Sequence, residues 1–166
     1  CYYFTMELVD GLNLTQRMGL PEGLETKTVV DAAIRVADAL EYAHERGVIH
    51  QDIKPDNIVI ADTGEVKLAD LGIAKVRDQH DQEGNQKRVL GTPHYMSPEQ
   101  AAGKAVDSRS DLYSLGATLY HVLAGEPMFD APKSTEVMGK HLRETPKSLE
   151  EAAPDVPMPL CDVVNK

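Results

Sequence analysis

The stretch HQDIKPDN at residues 50–57, followed 13 residues after its last member by Asp70, decides how this chain is interpreted. Moving a phosphoryl group requires little covalent chemistry from a protein but much positioning and charge neutralisation. The required parts are a carboxylate that accepts a hydroxyl proton, oxygen ligands for Mg²⁺, and a cation beside the transferring group. Asp52, Lys54, Asn57 and Asp70 supply these parts within a short span of chain. The two segments are therefore candidates for a phosphoryl-transfer site.

The composition is that of a globular domain and argues against several classes of function. The chain has 166 residues, 42% of them hydrophobic, which is enough for one domain with a sizeable buried core. Its net charge of −10 disfavours binding to nucleic acid or to an anionic membrane surface. Two cysteines, Cys1 and Cys161, are too few for a disulfide framework, so the composition favours a reducing, cytoplasmic compartment.

Hydrophobic periodicity and turn residues predict an α+β chain that is mainly α-helical, with short β-hairpins. Strands are expected at residues 2–9, 48–49, 58–60 and 66–68, with a turn at 10–13 and a hairpin turn at 62–64. Helices are expected from an N-cap at Thr28 to Gly47, from Pro98 to Gly103, over 112–124 and over 134–143. Apolar residues on nearly all faces of 112–124, Leu112 included, predict a buried central helix.

Two further motifs follow the candidate site along the chain. Residues 91–99 read GTPHYMSPE, and residues 107–116 read DSRSDLYSLG. The ordered set, from residue 50 to residue 116, resembles the large lobe of eukaryotic-type serine/threonine protein kinases, especially those of bacteria. The resemblance covers essentially the whole chain and implies a protein-kinase-like C-terminal lobe that uses ATP and Mg²⁺ to phosphorylate a protein on serine or threonine.

The resemblance assigns a role to each candidate catalytic residue. Asp52 matches the aspartate that accepts the proton of the substrate hydroxyl, and Lys54 matches the lysine directed at the transferring phosphate. Asn57 and Asp70 match the two Mg²⁺ ligands. Thr92 matches the threonine that bridges Asp52 and Lys54 and helps to select serine or threonine acceptors.

The resemblance also places a nucleotide-binding edge at the start of the chain. Glu7 and Val9 align with the hinge whose backbone groups meet adenine, and Met6 aligns with the residue that gates the pocket behind it. Asn13 falls where a contact to ribose is expected, and Val59 falls where a side chain packs beneath adenine.

Four other residues match structural positions of the family. His50 and Leu71 correspond to members of a packed column that links the two kinase lobes. Asp111 corresponds to a buried helix aspartate that holds the backbone of the catalytic loop. Glu99 normally pairs with an arginine far downstream.

The resemblance divides the chain into residues 1–10, the last N-lobe strand and hinge, and residues 11–166, a C-lobe incomplete at its C-terminus. The glycine-rich loop and the lysine on the third strand of the family's N-lobe are expected before Cys1, in a longer parent chain. The piece alone is then expected to bind ATP weakly or not at all and to have negligible activity. Its expected partners are the missing N-lobe and a protein substrate, without nucleic-acid or membrane contact; the parent of such a segment is often tethered to a membrane.

Two departures from the family pattern bear on regulation. Gln51 stands where most members have an arginine that pairs with a phosphate on the activation segment. Residues 73–90 contain no serine, threonine or tyrosine. A segment with no hydroxyl to phosphorylate has no use for a phosphate-reading arginine. The sequence therefore predicts a kinase that is not activated by phosphorylation of this segment.

Two alternative functions share part of the pattern. Small-molecule phosphotransferases of the aminoglycoside or choline kinase kind also have His-x-Asp, a later Asn and a metal-binding Asp, but Lys54 and residues 91–99 do not belong to them. A pseudokinase or scaffold is the non-enzymatic alternative, although such proteins usually lose the base or a metal ligand. A metal-dependent hydrolase is disfavoured because no second His or Cys lies at ligand spacing. Five further histidines are expected on the surface or in packed positions: His44, His80, His94, His121 and His141.

Overall fold

A three-stranded antiparallel sheet lies beside the helices in the computed structural model, which describes residues 7–70 and 91–166. Its strands, in the order β1-β2-β3, are β1 (Gly11–Asn13), β2 (Ile58–Ala61) and β3 (Val66–Leu68). The hairpin of β2 and β3 confirms the predicted strands and turn, since Gly64, at a φ of 86°, donates its N–H to the Ala61 carbonyl at 2.9 Å.

The start of the chain differs from the sequence prediction. Residues 7–10 form no strand, and the rest of the strand predicted at 2–9 lies outside the described residues. The predicted turn at 10–13 is wrong, because Gly11 begins β1 and pairs with Ala61 of β2. A Cβ atom at Gly11 would lie 2.4 Å from the Ile60 carbonyl oxygen, so the close approach of the two strands requires a glycine there.

Seven α-helices occupy the described part of the chain, together with 3₁₀ turns at Pro55–Asn57 and Pro93–Tyr95. They are α1 (Leu14–Met18), α2 (Thr26–His44), α3 (Pro98–Ala101), α4 (Ser108–Ala124), α5 (Ser134–Arg143), α6 (Leu149–Ala152) and α7 (Met158–Val164). The predicted helix at 134–143 and the stop of α4 at Gly125, in the left-handed conformation, are confirmed.

The main core lies between α2 and α4 and extends to the loop and strand that follow α2. Its buried members are apolar side chains from these two helices, from α1 and from the region of β2: Leu14, Val29, Ala32, Val36, Leu40, Ile53, Ile58, Ile60, Leu115, Leu119 and Val122. A second cluster joins the same central helix to α6 and α7 through Tyr120, Leu149 and Cys161. α4 therefore packs against both clusters, as a central helix should.

The predicted N-cap at Thr28 is wrong. α2 begins at Thr26 after Glu25, which makes no side-chain cap hydrogen bond, and the N–H of Val29 already donates to the Glu25 carbonyl. The C-terminal prediction is confirmed: Gly47, at a φ of 72°, and Val48 donate their N–H groups to His44 and Ala43 in a Schellman pattern.

Two further predictions are wrong, and the second has a clear physical reason. Residues 48–49 form no strand, and Leu112 on α4 is 54% exposed whereas its neighbour Asp111 is fully buried. α4 turns this carboxylate inward toward the loop that follows residue 49, because that loop has buried backbone N–H groups that need an acceptor. A hydrophobic pattern alone does not contain that requirement.

Candidate active site

The catalytic loop (residues 50–57) is held by side chains of distant elements rather than by strand pairing. The N–H groups of His50 and Gln51 donate to Asp111 Oδ2 and Oδ1 at 2.8 and 2.7 Å. Thr118, further along α4, donates its hydroxyl to the Ile53 carbonyl at 3.4 Å. A buried backbone whose polar groups are satisfied in this way has one favoured conformation.

His50 connects the catalytic loop to the segment that carries Asp70. Its ring is fully buried; Nε2 donates to the Ala69 carbonyl at 3.0 Å, and Nδ1 accepts the N–H of Asp52 at 3.3 Å. These roles require a neutral ring protonated at Nε2, and burial lowers the pKa of His50 below its ordinary value. The structural role predicted for His50 is consistent with this geometry, whereas Leu71 lies outside the described residues.

Lys54 is the centre of the group of predicted catalytic residues. Its Nζ donates to Asp52 Oδ2 at 2.8 Å and to Thr92 Oγ1 at 3.1 Å. Asn57 Nδ2 also donates to Asp52 Oδ2, at 3.2 Å, and to the Asp52 carbonyl at 2.8 Å. The residue that bridges the other two is therefore Lys54 and not Thr92 as predicted, because the ammonium of Lys54 has enough donors to reach both. Oδ1 of Asp52 is the oxygen that these donors leave available.

Asn57 and Asp70 fit a Mg²⁺ site by their chemistry and placement. The Asn57 amide nitrogen is used by Asp52, so Oδ1 of Asn57 is the atom of that side chain that can ligate a cation. The Asn57 carbonyl accepts the N–H of Ala69 at 2.8 Å, which places the next residue, Asp70, beside the same loop. Asp70 is exposed and has a φ of 59°, a left-handed conformation uncommon outside glycine. An amide oxygen and a carboxylate are ligands that Mg²⁺ accepts.

Residues 91–99 are called the docking segment here, because the corresponding stretch of the kinases that the chain resembles forms the peptide-docking surface. They pack against α4 and α5. Tyr95 stacks on His121, and its hydroxyl lies 2.7 Å from His121 Nδ1. Tyr113 on α4 pairs its hydroxyl with Nδ1 of the buried His141 at 2.8 Å. Burial lowers the pKa of His141 to about 4, so this ring is neutral at physiological pH.

The predicted nucleotide edge is exposed at Glu7 and half-buried at Val9, Asn13 and Val59. Glu7 forms an ion pair with Lys67 at 3.1 Å. Asn13 and Val59 lie opposite each other in the pairing of β1 with β2. Asn13 also caps α1, because its Oδ1 accepts the N–H of Gln16 at 2.8 Å; its amide nitrogen remains for a ligand. Met6 lies outside the described residues.

The sequence analysis missed two residues that hold the catalytic loop. His44 Nε2 lies 2.8 Å from Asp111 Oδ2, at the carboxylate that fixes His50 and Gln51. Gln100 donates Nε2 to the Gln51 carbonyl at 2.8 Å. The sequence does contain a pattern that indicates Gln100, because Ser97 and Gln100 have the spacing of a capping box. No local sequence pattern identifies His44.

Glu99 has a local partner among the described residues. Its carboxylate accepts the hydroxyl of Ser110 at the start of α4. This contact joins the end of the docking segment to the helix that holds the catalytic loop. The arginine that the resemblance implies for Glu99 stays a prediction.

Comparisons with known proteins show the family to which the chain belongs. A family model described as the protein kinase domain matches residues 1–162. The serine/threonine-protein kinase PknB of Mycobacterium tuberculosis (strain ATCC 25618 / H37Rv) is 41% identical over 145 residues, 87% of this chain and 23% of the relative. PknB of Mycolicibacterium smegmatis is 38% identical over 165 residues, 99% of this chain and 26% of that protein. The chain thus spans about a quarter of the length of these curated relatives.

Solved structures include the same fold. The kinase domain of Mycobacterium tuberculosis PknI, crystallised in a mutant form, superposes with a TM-score of 0.70 at 32% identity, over 96% of this chain and 54% of that one. This match confirms the predicted fold class, a mainly α-helical kinase-like lobe with a small sheet. Among the helices of residues 7–70 and 91–166, none combines the length and apolar character that crossing a membrane requires.

Proposed function

The chain belongs to the protein kinase domain family, and we propose that it supplies the catalytic residues of a serine/threonine protein kinase. The contact of Lys54 Nζ with both Asp52 and Thr92 carries this proposal, because it joins the catalytic loop to the docking segment. Small-molecule phosphotransferases have no residues that correspond to Lys54 or to the docking segment, so the arrangement favours a protein acceptor. The presence of Asp52, Asn57 and Asp70 together favours an enzyme over a scaffold.

The proposed reaction is an in-line transfer of the γ-phosphoryl of ATP to a hydroxyl of the substrate. The bond from the hydroxyl oxygen to phosphorus forms as the bond to the ADP oxygen breaks. Asp52 receives the hydroxyl proton at Oδ1, while Lys54 offsets negative charge on the moving group. Mg²⁺, held by Asn57 and Asp70, would neutralise charge on the ATP phosphates. Thr92 orients Lys54 from the docking segment.

The nucleotide would lie along the open edge of the sheet. The hinge backbone at Glu7 and Val9, the amide of Asn13 and the side chain of Val59 are the proposed contacts. Asn13 and Val59 are directly opposite each other in neighbouring strands, so their side chains lie on the same face of the sheet. This supports one contact surface for the nucleotide. The N-lobe of the intact protein completes the proposed ATP site, and a Ser- or Thr-containing protein is the proposed partner in a cytoplasmic compartment.

We further propose that the intact kinase is active without phosphorylation of its activation segment. Gln51 is neutral and so offers no charge for a phosphate, and its Oε1 is buried without a hydrogen-bond partner among the described residues. The catalytic loop is instead held by Asp111, Thr118 and His50, none of which needs a phosphate. The absence of hydroxyl residues between Gly72 and Gly91 supports the same proposal.

Substitution of Asp52 tests the function, with a neighbouring carboxylate as its control. In the intact kinase, Asp52→Asn is expected to lower kcat about 10²- to 10⁴-fold, the usual effect of removing a positioned general base. Asp56→Asn changes an exposed carboxylate of the same loop and should leave kcat within about threefold, as expected of a solvated surface charge. Initial rates with a serine peptide and saturating Mg-ATP measure both. Equal rates for the two variants would remove Asp52 from the proposed role.

A further inference from the structure

The backbone of Gln51, directly before Asp52, has a conformation that is unfavourable for residues other than glycine. Gln51 has a φ of 69°, in the left-handed region that non-glycine residues enter only when their surroundings compensate. Its N–H donates to Asp111 Oδ1 at 2.7 Å, and its carbonyl accepts Gln100 Nε2 at 2.8 Å. Both backbone polar groups of this one residue are therefore fixed from outside the loop.

Gln100 uses both ends of its amide. Its Oε1 accepts the N–H of Ser97 at 3.0 Å, and the Ser97 hydroxyl accepts the N–H of Gln100 at 3.3 Å, which completes the capping box of α3. Nε2 is left for the Gln51 carbonyl. Ser97 is fully buried and Gln100 is 6% exposed, so water does not readily replace either partner.

We propose that Gln100 is a positioning residue for phosphoryl transfer. Its hydrogen bond holds the Gln51 carbonyl, and so fixes the orientation of the peptide that leads directly into Asp52. The same side chain belongs to the capping box that begins within the docking segment at Ser97. The Gln100 amide thus holds Asp52 and the docking segment in a fixed relative position. No phosphate is needed for these contacts. This inference rests on the proposed kinase function and adds a residue that acts through Gln51.

A pair of substitutions separates the link to Gln51 from the helix cap. Gln100→Glu keeps an oxygen for the Ser97 N–H, since Glu serves equally in a capping box, but removes the donor to the Gln51 carbonyl. Ser97→Ala removes the hydroxyl of the cap and leaves the Gln100 donor in place. Thermal unfolding measures the structural cost of each variant separately, which for Gln100→Glu includes a carboxylate at a buried position beside the Gln51 carbonyl.

The expected result is a difference in kcat that does not follow stability. In the intact kinase, Gln100→Glu should lower kcat for a serine peptide by about 10- to 100-fold, the scale of a small misplacement of a reacting group. Ser97→Ala should lower kcat less than Gln100→Glu does, although it loses a cap, because the Gln100 donor to the Gln51 carbonyl is kept. If the two variants have the same kcat, the cap and not the link to Gln51 matters, and the inference is wrong.

A glycine at residue 51 provides the second test. Glycine adopts positive φ without the steric cost of a side chain, so Gln51→Gly should restore at least about tenfold of the kcat lost in Gln100→Glu. Failure to restore activity in a folded double variant would overturn the inference. A wild-type kinase that phosphorylates no serine or threonine peptide would overturn the proposed function itself, whereas an active wild type with a fully active Gln100→Glu variant overturns only the role of Gln100.

Discussion

The catalytic loop, residues 50–57, and the nucleotide edge, residues 7–13, are assigned to one site, yet their surroundings differ. In the loop, His50, Ile53 and Asn57 are at most 5% exposed, and side chains from α3 and α4 bind its peptide groups. At the edge, Leu8 is 86% exposed and Glu7 is held by an exposed ion pair. The chain thus fixes the catalytic loop by buried hydrogen bonds and leaves the start of the nucleotide edge, at Glu7 and Leu8, exposed.

The two regions also differ in how much their contacts contribute to the stability of the fold. Hydrogen bonds to buried peptide groups are costly to lose, because the unpaired group cannot return to water. Exposed ion pairs contribute little, because water and salt screen them. Substitutions in the two regions should therefore have effects of very different size.

The largest effect is expected at Asp111. Asp111→Ala leaves the buried N–H groups of His50 and Gln51 without an acceptor, which should lower the free energy of unfolding by about 3 kcal/mol or more. Chemical denaturation of the intact kinase measures this loss. Asp111→Asn keeps one acceptor oxygen and should fall between the alanine variant and the wild type. Wild-type stability in Asp111→Ala would show that the catalytic loop does not depend on α4.

A pH-dependent effect of similar or smaller size is expected at His141, behind the docking segment. Its pKa is lowered by burial from 6.5 to about 4, so at pH values between these the unfolded chain binds a proton that the folded chain does not. Stability should therefore fall as the pH drops from about 6.5 to 4 and level off below, by a total on the order of 3 kcal/mol.

Substituting His141 isolates this contribution from that of His50 and His121, whose pKa values burial also lowers. His141→Gln has no charge to gain, so its unfolding free energy should change less with pH than that of the wild type. Denaturation curves at several pH values provide the comparison. Identical pH dependence in the two proteins would mean that His141 is not held neutral by the fold.

The smallest effect is expected at Lys67 of β3, which pairs with Glu7 of the nucleotide edge. Its ammonium contacts Glu7 at 3.1 Å and Glu65 at 3.2 Å, and both carboxylates are exposed. Lys67→Met should change the KM for ATP by less than about threefold in the intact kinase, and high salt should reduce even that difference. A tenfold change would show that the ion pair orients the hinge, and the contrast between the two regions would then fail.

The sequence predicted the parts of the site whose signal is local. The 50–57 motif, Asp70 and Thr92 were identified by spacing and resemblance, and the structure brings Asp52, Lys54, Asn57 and Thr92 into hydrogen-bond contact. The hairpin of β2 and β3 follows from apolar runs around Asp62-Thr63-Gly64. The roles of these residues in catalysis stay predictions.

The missed features depend on contacts between distant parts of the chain. Gln100 lies 49 residues from Gln51, and His44 lies 67 residues from Asp111. Leu112 was misassigned because the first turn of α4 directs Asp111 inward as an acceptor for the catalytic loop, whereas the apolar contacts of the helix with the core begin at Leu115. Periodicity describes how a helix meets an apolar core, so it does not indicate which polar residue the loop will bind.

The most direct test of a catalytic loop held without a phosphate is the activity of the intact kinase before and after phosphatase treatment. Mass spectrometry establishes that phosphate has been removed, and initial rates with a serine peptide and Mg-ATP are then compared under conditions that limit autophosphorylation. Equal rates within about twofold are expected, because Asp111 and Gln100 hold the loop by hydrogen bonds that no phosphate supplies. A loss of about tenfold or more, recovered on autophosphorylation, would mean that a phosphate is needed to hold the loop.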